Sequence, residues 1–283
     1  MSEAKDTVFY KNSLTENIIL SVISLVVIVA NSFEIAHIYK KKSKNSYEVL
    51  LISLSVSDAF FGLTNLVFML IQLVSGHIFV TVIRSFYMFF FLLSVIHLIT
   101  LALDRWVAVT FPLKHKIYWE IRHAKKLIAF LWILVALISV MIFFDLNQHI
   151  AETGVRPWVI PVVSTIIIAT DATLVILYSL VFYQISKQER NKARINQSSD
   201  KKTQQRKLKS AFLLCVLTTL TFILCTLRFT IQLVGDTSKW PDVYSSMLIV
   251  TNSFWNSFIY FFHGKISQLL KKKTVRTSKQ ESN

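Results

Sequence analysis

The chain has 283 residues, 53% of them apolar and only 17% charged, with a net charge of +15 and a mean hydropathy of +0.52. A soluble domain of this length carries more charge, and 22 Phe against 5 Gly and 4 Pro point to long apolar helices. The two cysteines, Cys215 and Cys225, sit ten residues apart on one apolar run. On a helix that is about 15 Å, too far to bridge, which excludes an internal disulfide and, with so few thiols, a zinc site or a cysteine nucleophile.

In chain order, Met1 to Glu16 is polar, carries Glu3, Asp6 and Glu16, and has neither a basic n-region nor a small-residue cleavage site. It reads as an extracellular N-terminus, with the first apolar run as an uncleaved signal anchor. Seven runs long enough to cross about 30 Å of hydrocarbon follow, at 17–39, 48–74, 79–110, 123–144, 159–186, 208–233 and 243–262. None alternates like a barrel strand, and open sheets cannot span lipid. The expected fold class is therefore an all-α membrane protein: a seven-transmembrane helix bundle over 17–262. Beyond it, 263–283 forms a short amphipathic helix (Ile266, Leu269 and Leu270 on one face) and a cytoplasmic tail.

The basic charge is one-sided. Twenty-five of the 31 Lys and Arg fall after runs 1, 3, 5 and 7, and Lys187–Lys209 is the one long polar segment. The positive-inside rule puts these loops and the C-terminus in the cytoplasm, with the N-terminus outside. The charge then faces anionic lipid and cytoplasmic partners, which removes nucleic acid as a partner. Trp158 and Trp240 fall at the outer interface, where aromatic rings anchor.

Six of the seven runs carry a landmark. Run 1 has Ala30-Asn31; run 2 opens on Asn45-Ser46-Tyr47 and contains Leu54-Ser55-Val56-Ser57-Asp58. Run 3 ends in Leu103-Asp104-Arg105-Trp106 and continues to Phe111-Pro112-Leu113-Lys114. Run 4 has a single Trp132, run 5 has Tyr178-Ser179-Leu180-Val181, and run 7 has Asn256-Ser257-Phe258-Ile259-Tyr260. An arginine at an inner helix end can simply snorkel. That explains one charge, but not an Asp–Arg pair followed by an aromatic and then by Pro-Leu-Lys. In order and spacing, over nearly the whole chain, the set resembles the rhodopsin-like G-protein-coupled receptors.

The resemblance implies a plasma-membrane receptor that passes an extracellular ligand signal to a heterotrimeric G protein, with arrestin and a receptor kinase as further partners and no enzyme activity. It implies that Asp104 holds Arg105 at rest, that Arg105 swings inward on activation, and that Trp106 (for the usual Tyr), Tyr178 and Tyr260 complete the coupling set. It implies a sodium ion, the one non-protein group expected, at Asp58, Ser94, Asn252 and Asn256. Oxygen ligands around one carboxylate suit such a hard cation; a hydrated network without ion is the alternative. Counted from the motifs, Arg84, Tyr87, Met88, Phe91, Phe229 and Thr230 line a ligand pocket in the outer half, with Val162, Ser246 and Val250. Tyr87 stands where amine receptors carry an Asp, so a lipophilic molecule or small peptide is the expected ligand.

The departures matter. Val80 stands where the family's disulfide cysteine belongs; Thr170 and Ser257 replace two prolines, and Cys225-Thr226-Leu227-Arg228 lacks both the tryptophan and the proline of the family's helix 6. Lys207-Leu208-Lys209 leaves no acid at the start of run 6 to hold Arg105. These losses keep an alternative open: a non-signalling seven-helix relative, a scavenger or a decayed paralogue. Asp171 and Arg228, at comparable depth in runs 5 and 6, either pair or face water separately.

Overall fold

The computed structural model describes residues 14–42, 44–72, 77–118, 120–151, 159–194, 223, 226 and 247–258. Among these the chain is helical, without strands: α1 (Leu14–Tyr39), α2 (Ser46–Gln72), α3 (His77–Thr110), α4 (Pro112–Tyr118), α5 (Ile121–Ala151), α6 (Val159–Arg194) and a helical stretch at 247–258. Among the described residues, five helices are long and apolar enough to cross a membrane: Thr15–Tyr39, Ser46–Ile71, Val82–Thr110, Ile121–Phe144 and Val162–Gln188. They coincide with the first five expected runs, and 247–258 lies within the seventh. Of the sixth run only Ile223 and Thr226 are described, both helical. The N-terminus to residue 13, Arg228, Phe229, Thr230, Tyr260 and the amphipathic segment after run 7 lie outside the described residues.

Burial runs opposite to that of a soluble protein. On α1, Ile18, Val22, Leu25, Val29 and Phe33 form an exposed apolar stripe. The opposite stripe, Asn17, Leu20, Ser24, Val27, Asn31, Glu34 and Ile38, is buried. Lipid is as apolar as leucine, so the exposed face needs no cover and the polar groups turn inward to find partners. The α5 helix presents Phe130, Ile133, Leu137, Met141 and Phe144 outward in the same way.

Local chemistry sets the helix ends. A reciprocal capping box opens α2: the Glu48 amide donates to Asn45 Oδ1 at 2.9 Å, and the Asn45 amide donates to Glu48 Oε2 at 3.1 Å. The α3 helix stops at Thr110 because Pro112 disfavours the helical region at Phe111. Pro112 then starts α4, taking a first-turn position where a missing N–H costs nothing. This short helix has no apolar run to announce it, and hydropathy alone passes over it.

The α3 helix packs against α2, α5 and α6, with α4 at its end, while α1 packs against α2. Gly62 sets the closeness of that last pair: a Cβ there meets the Ser24 carbonyl oxygen at 3.1 Å and Val27 Cγ1 at 3.2 Å. Beside it, Asn65 Nδ2 donates to Ser24 Oγ at 2.7 Å. A hydrogen-bond chain also ties α5, α2 and α3. Trp132 Nε1 donates to Ser53 Oγ at 3.1 Å, and Ser53 Oγ lies 2.8 Å from Nε2 of the fully buried His97. His97 Nδ1 reaches the Leu93 carbonyl at 2.7 Å. The indole can only donate and the carbonyl only accept. The Leu93 carbonyl therefore calls for a hydrogen on Nδ1, and in the neutral ring Nε2 then accepts from Ser53 Oγ.

Candidate functional site: the polar core and the Asp104–Arg105 face

Two polar clusters occupy the helix interior. The first centres on Asp58 of α2, which has no exposed surface. Its Oδ1 accepts from Ser253 Oγ at 2.9 Å and its Oδ2 from Asn256 Nδ2 at 3.3 Å, joining α2 to the 247–258 stretch. Ser94 of α3 adjoins the same carboxylate, though its buried hydroxyl closes no hydrogen bond of full geometry among the described residues. Asn252, one turn before Asn256, is buried too, and the side-chain oxygens of both are without a hydrogen bond among the described residues. Asn31 of α1 completes the junction: its Nδ2 donates to the carbonyls of Val27 (2.9 Å) and Ser253 (3.3 Å), and its Oδ1 accepts from Ser257 Oγ at 2.6 Å. Ser257 thus uses, as a donor, a position where a proline has nothing to offer.

The second cluster lies where α3 meets α4. Asp104 is fully buried; its Oδ1 is 3.0 Å from His115 Nε2 and its Oδ2 is 3.4 Å from Arg105 Nη2. The Arg105 guanidinium sits over the Tyr47 ring, 3.4 Å from its centroid. Trp106 is half-buried and packs edge-on to Phe111 at 6.2 Å between centroids. Tyr178 of α6 packs against the main apolar core, and Gln188 Nε2, further along α6, donates to the Val109 carbonyl at 2.9 Å.

Both clusters lie within the stretch of the chain that matches a known family. Residues 26–260 match the 7 transmembrane receptor (rhodopsin family). The chain belongs to the rhodopsin family of seven-transmembrane receptors. It is therefore a multi-pass membrane protein of a receptor family that is not enzymatic. No individual curated protein matches it.

Of the residues expected to line this receptor's ligand pocket, those described divide into two kinds. Arg84 and Val162 are exposed at the surface of α3 and α6. Tyr87 and Phe91 instead pack on the buried Phe61 of α2, at 4.7 and 6.0 Å between ring centroids, with Met88 against the same core. They form the α2–α3 contact as well as any wall facing a ligand. A cleft of about 460 Å³ opens at the other end of the helices, lined by Lys44, Asn45, Ser46, His115, Glu120, Ile121 and Arg122.

Sequence reasoning missed Glu34. It is 4% exposed on α1 and accepts from Ser55 Oγ of α2 at 3.1 Å. The signal was present: Glu34 falls three residues after Asn31, on the stripe that carries every other buried polar group of α1. His115 and Ser253 were missed as well: His115 reads as part of a basic Lys-His-Lys stretch, and Ser253 as one small polar residue in an apolar run.

Proposed function

We propose that this chain is a G-protein-coupled receptor of the plasma membrane, with seven spans, its N-terminus outside and its basic loops inside. The observation that carries the reading is the Asp104–Arg105 pair at the end of α3. The acid is wholly buried and held from two sides, while the arginine beside it keeps 42% of its side chain exposed. A buried charge is costly unless paired, so this arrangement stores a partly free cation at the mouth of the helices. An incoming acidic or carbonyl-rich protein segment, such as the end of a G-protein subunit, is the partner such a cation fits. Arg105 contributes the charge, Asp104 restrains it, and Trp106, Tyr178 and Tyr260 complete the face. Arrestin and a receptor kinase would act at the same inner surface.

Asp58, Ser94, Asn252 and Asn256 would hold a sodium ion. The fit rests on three buried oxygens without well-formed hydrogen bonds among the described residues, Ser94 Oγ, Asn252 Oδ1 and Asn256 Oδ1, in one helix junction with a carboxylate. Such groups are rare in folded proteins unless an ion or water satisfies them. The ligand would enter the outer half, near Arg84, Tyr87, Met88 and Phe91 with Phe229 and Thr230, and would be a lipophilic molecule or small peptide.

The test is expression with promiscuous G proteins against a ligand library, read as second messenger, beside Arg105→Ala. We expect signalling from the wild type and loss of at least about 90% of it in Arg105→Ala at equal surface expression, since removing a charge-assisted contact worth about 1.5–3 kcal/mol lowers coupling at least tenfold. Unchanged signalling in the variant overturns the mechanism. Silence of the wild type throughout favours the non-signalling relative.

A further inference from the structure

Lys207-Leu208-Lys209 supplies no acid at the start of run 6, so Arg105 lacks the second carboxylate that restrains it in some receptors of this family and has Asp104 alone. Its contact with Asp104 is loose. The Nη2–Oδ2 distance is 3.4 Å, and neither Asp104 Oδ2 nor Arg105 Nε has a hydrogen-bond partner among the described residues. A well-formed arginine–carboxylate pair closes to about 2.7–2.9 Å, often through two parallel bonds. The other carboxylate oxygen is occupied from the opposite side by His115 Nε2 at 3.0 Å. What lies flat against the guanidinium is Tyr47, with the arginine carbon 3.4 Å from the ring centroid. That is stacking distance, well inside the roughly 6 Å range of a cation–π contact.

The position of Tyr47 is itself fixed. It lies in the first turn of α2 between Asn45 and Glu48, whose reciprocal hydrogen bonds pin the helix start. Glu48 is held further by Lys41, at 2.8 Å. His115 stands on α4, which Pro112 starts immediately after α3. The two side chains therefore approach Asp104-Arg105 from rigid, separately anchored elements.

We propose that Tyr47 is the positioning residue that holds Arg105 at rest, with His115 holding Asp104. The brake on this receptor then lies on α2 and α4 and needs no acid at the start of run 6. It deepens the receptor reading and rests on it. To reach a G protein, Arg105 must leave the Tyr47 ring, so the ring sets the basal activity. The hydroxyl plays no part in this contact, since the cation faces the ring.

The experiment is a double-mutant cycle on the full chain in lipid nanodiscs, with thermal melting and basal nucleotide exchange on an added G protein as readouts. Tyr47→Leu raises basal exchange about fivefold, the ratio that matches a half-exposed cation–π contact, and Tyr47→Phe rescues it to near the wild-type rate. His115→Ala raises exchange in the same direction. In melting, Tyr47→Leu lowers the midpoint of the wild type but not of Arg105→Ala, because the partner is already gone. Additive melting losses, or Tyr47→Phe behaving like Tyr47→Leu, overturn the proposal whatever the G-protein result. Non-additive melting with no exchange from wild type or Tyr47→Leu supports the contact and strikes the receptor reading instead.

Discussion

Replacing Asp58 by Asn leaves Ser253 an acceptor at nearly the same place but removes the only formal charge among Asp58, Ser94, Asn252 and Asn256. If those oxygens hold sodium, the ion stabilises the folded protein by mass action; tenfold above its dissociation constant that is about 1.4 kcal/mol. In a chain of this size the melting midpoint rises by about 3 °C. The expected result is that shift in sodium chloride over choline chloride at equal ionic strength, and none in Asp58→Asn. The same shift in both proteins leaves the hydrated network as the better account. The types of residue in this core were legible beforehand, since an aspartate and two asparagines in apolar runs stand out. Glu34 was less so: it shares the stripe of Asn17, Ser24 and Asn31, but nothing in run 1 itself marks that stripe as the inward one. Only its meeting with Ser55 across α1 and α2 shows it turned inward.

At the level of helices, apolar runs placed the first five spans to within a few residues, and two helices continue past their spans. The fourth run was expected to end at 144 and the fifth at 186, whereas α5 continues to Ala151 and α6 to Arg194. Hydropathy marks the stretch that crosses hydrocarbon; a helix continues into water wherever its own hydrogen bonds suffice. The contact between runs 5 and 6 is where pairing remained open. Asp171 Oδ2 accepts from Thr226 Oγ1 at 2.9 Å, while its buried Oδ1 has no hydrogen-bond partner among the described residues. Arg228 is two residues beyond Thr226, outside them. We expect Asp171→Ala and Arg228→Ala each to lower stability by about 1–3 kcal/mol and the double variant to recover much of the loss. The exchange Asp171→Arg with Arg228→Asp should also outperform either half. Additive losses in melting or surface expression mean that the two charges do not meet.

For the molecule as a whole, the sidedness of charge predicts orientation. A tag on the N-terminus should be labelled by antibody on intact cells, and one on the C-terminus only after permeabilisation; the reverse pattern overturns the assignment of the basic cleft by His115 to the cytoplasm. Span number, class and charge asymmetry are one-dimensional properties: hydrocarbon thickness demands about 20 apolar residues whatever the neighbours, so they can be read before any folding. Which polar groups meet cannot. The meetings of Asp58 with Ser253 (195 residues apart), Trp132 with Ser53 (79) and His97 with Ser53 (44) depend on the rotation and depth of each helix against its neighbours. The same holds for Arg105 over Tyr47 and Asp104 against His115. Those two degrees of freedom leave no trace in hydropathy, because lipid accepts any apolar face. They are settled only when the buried polar groups find one another.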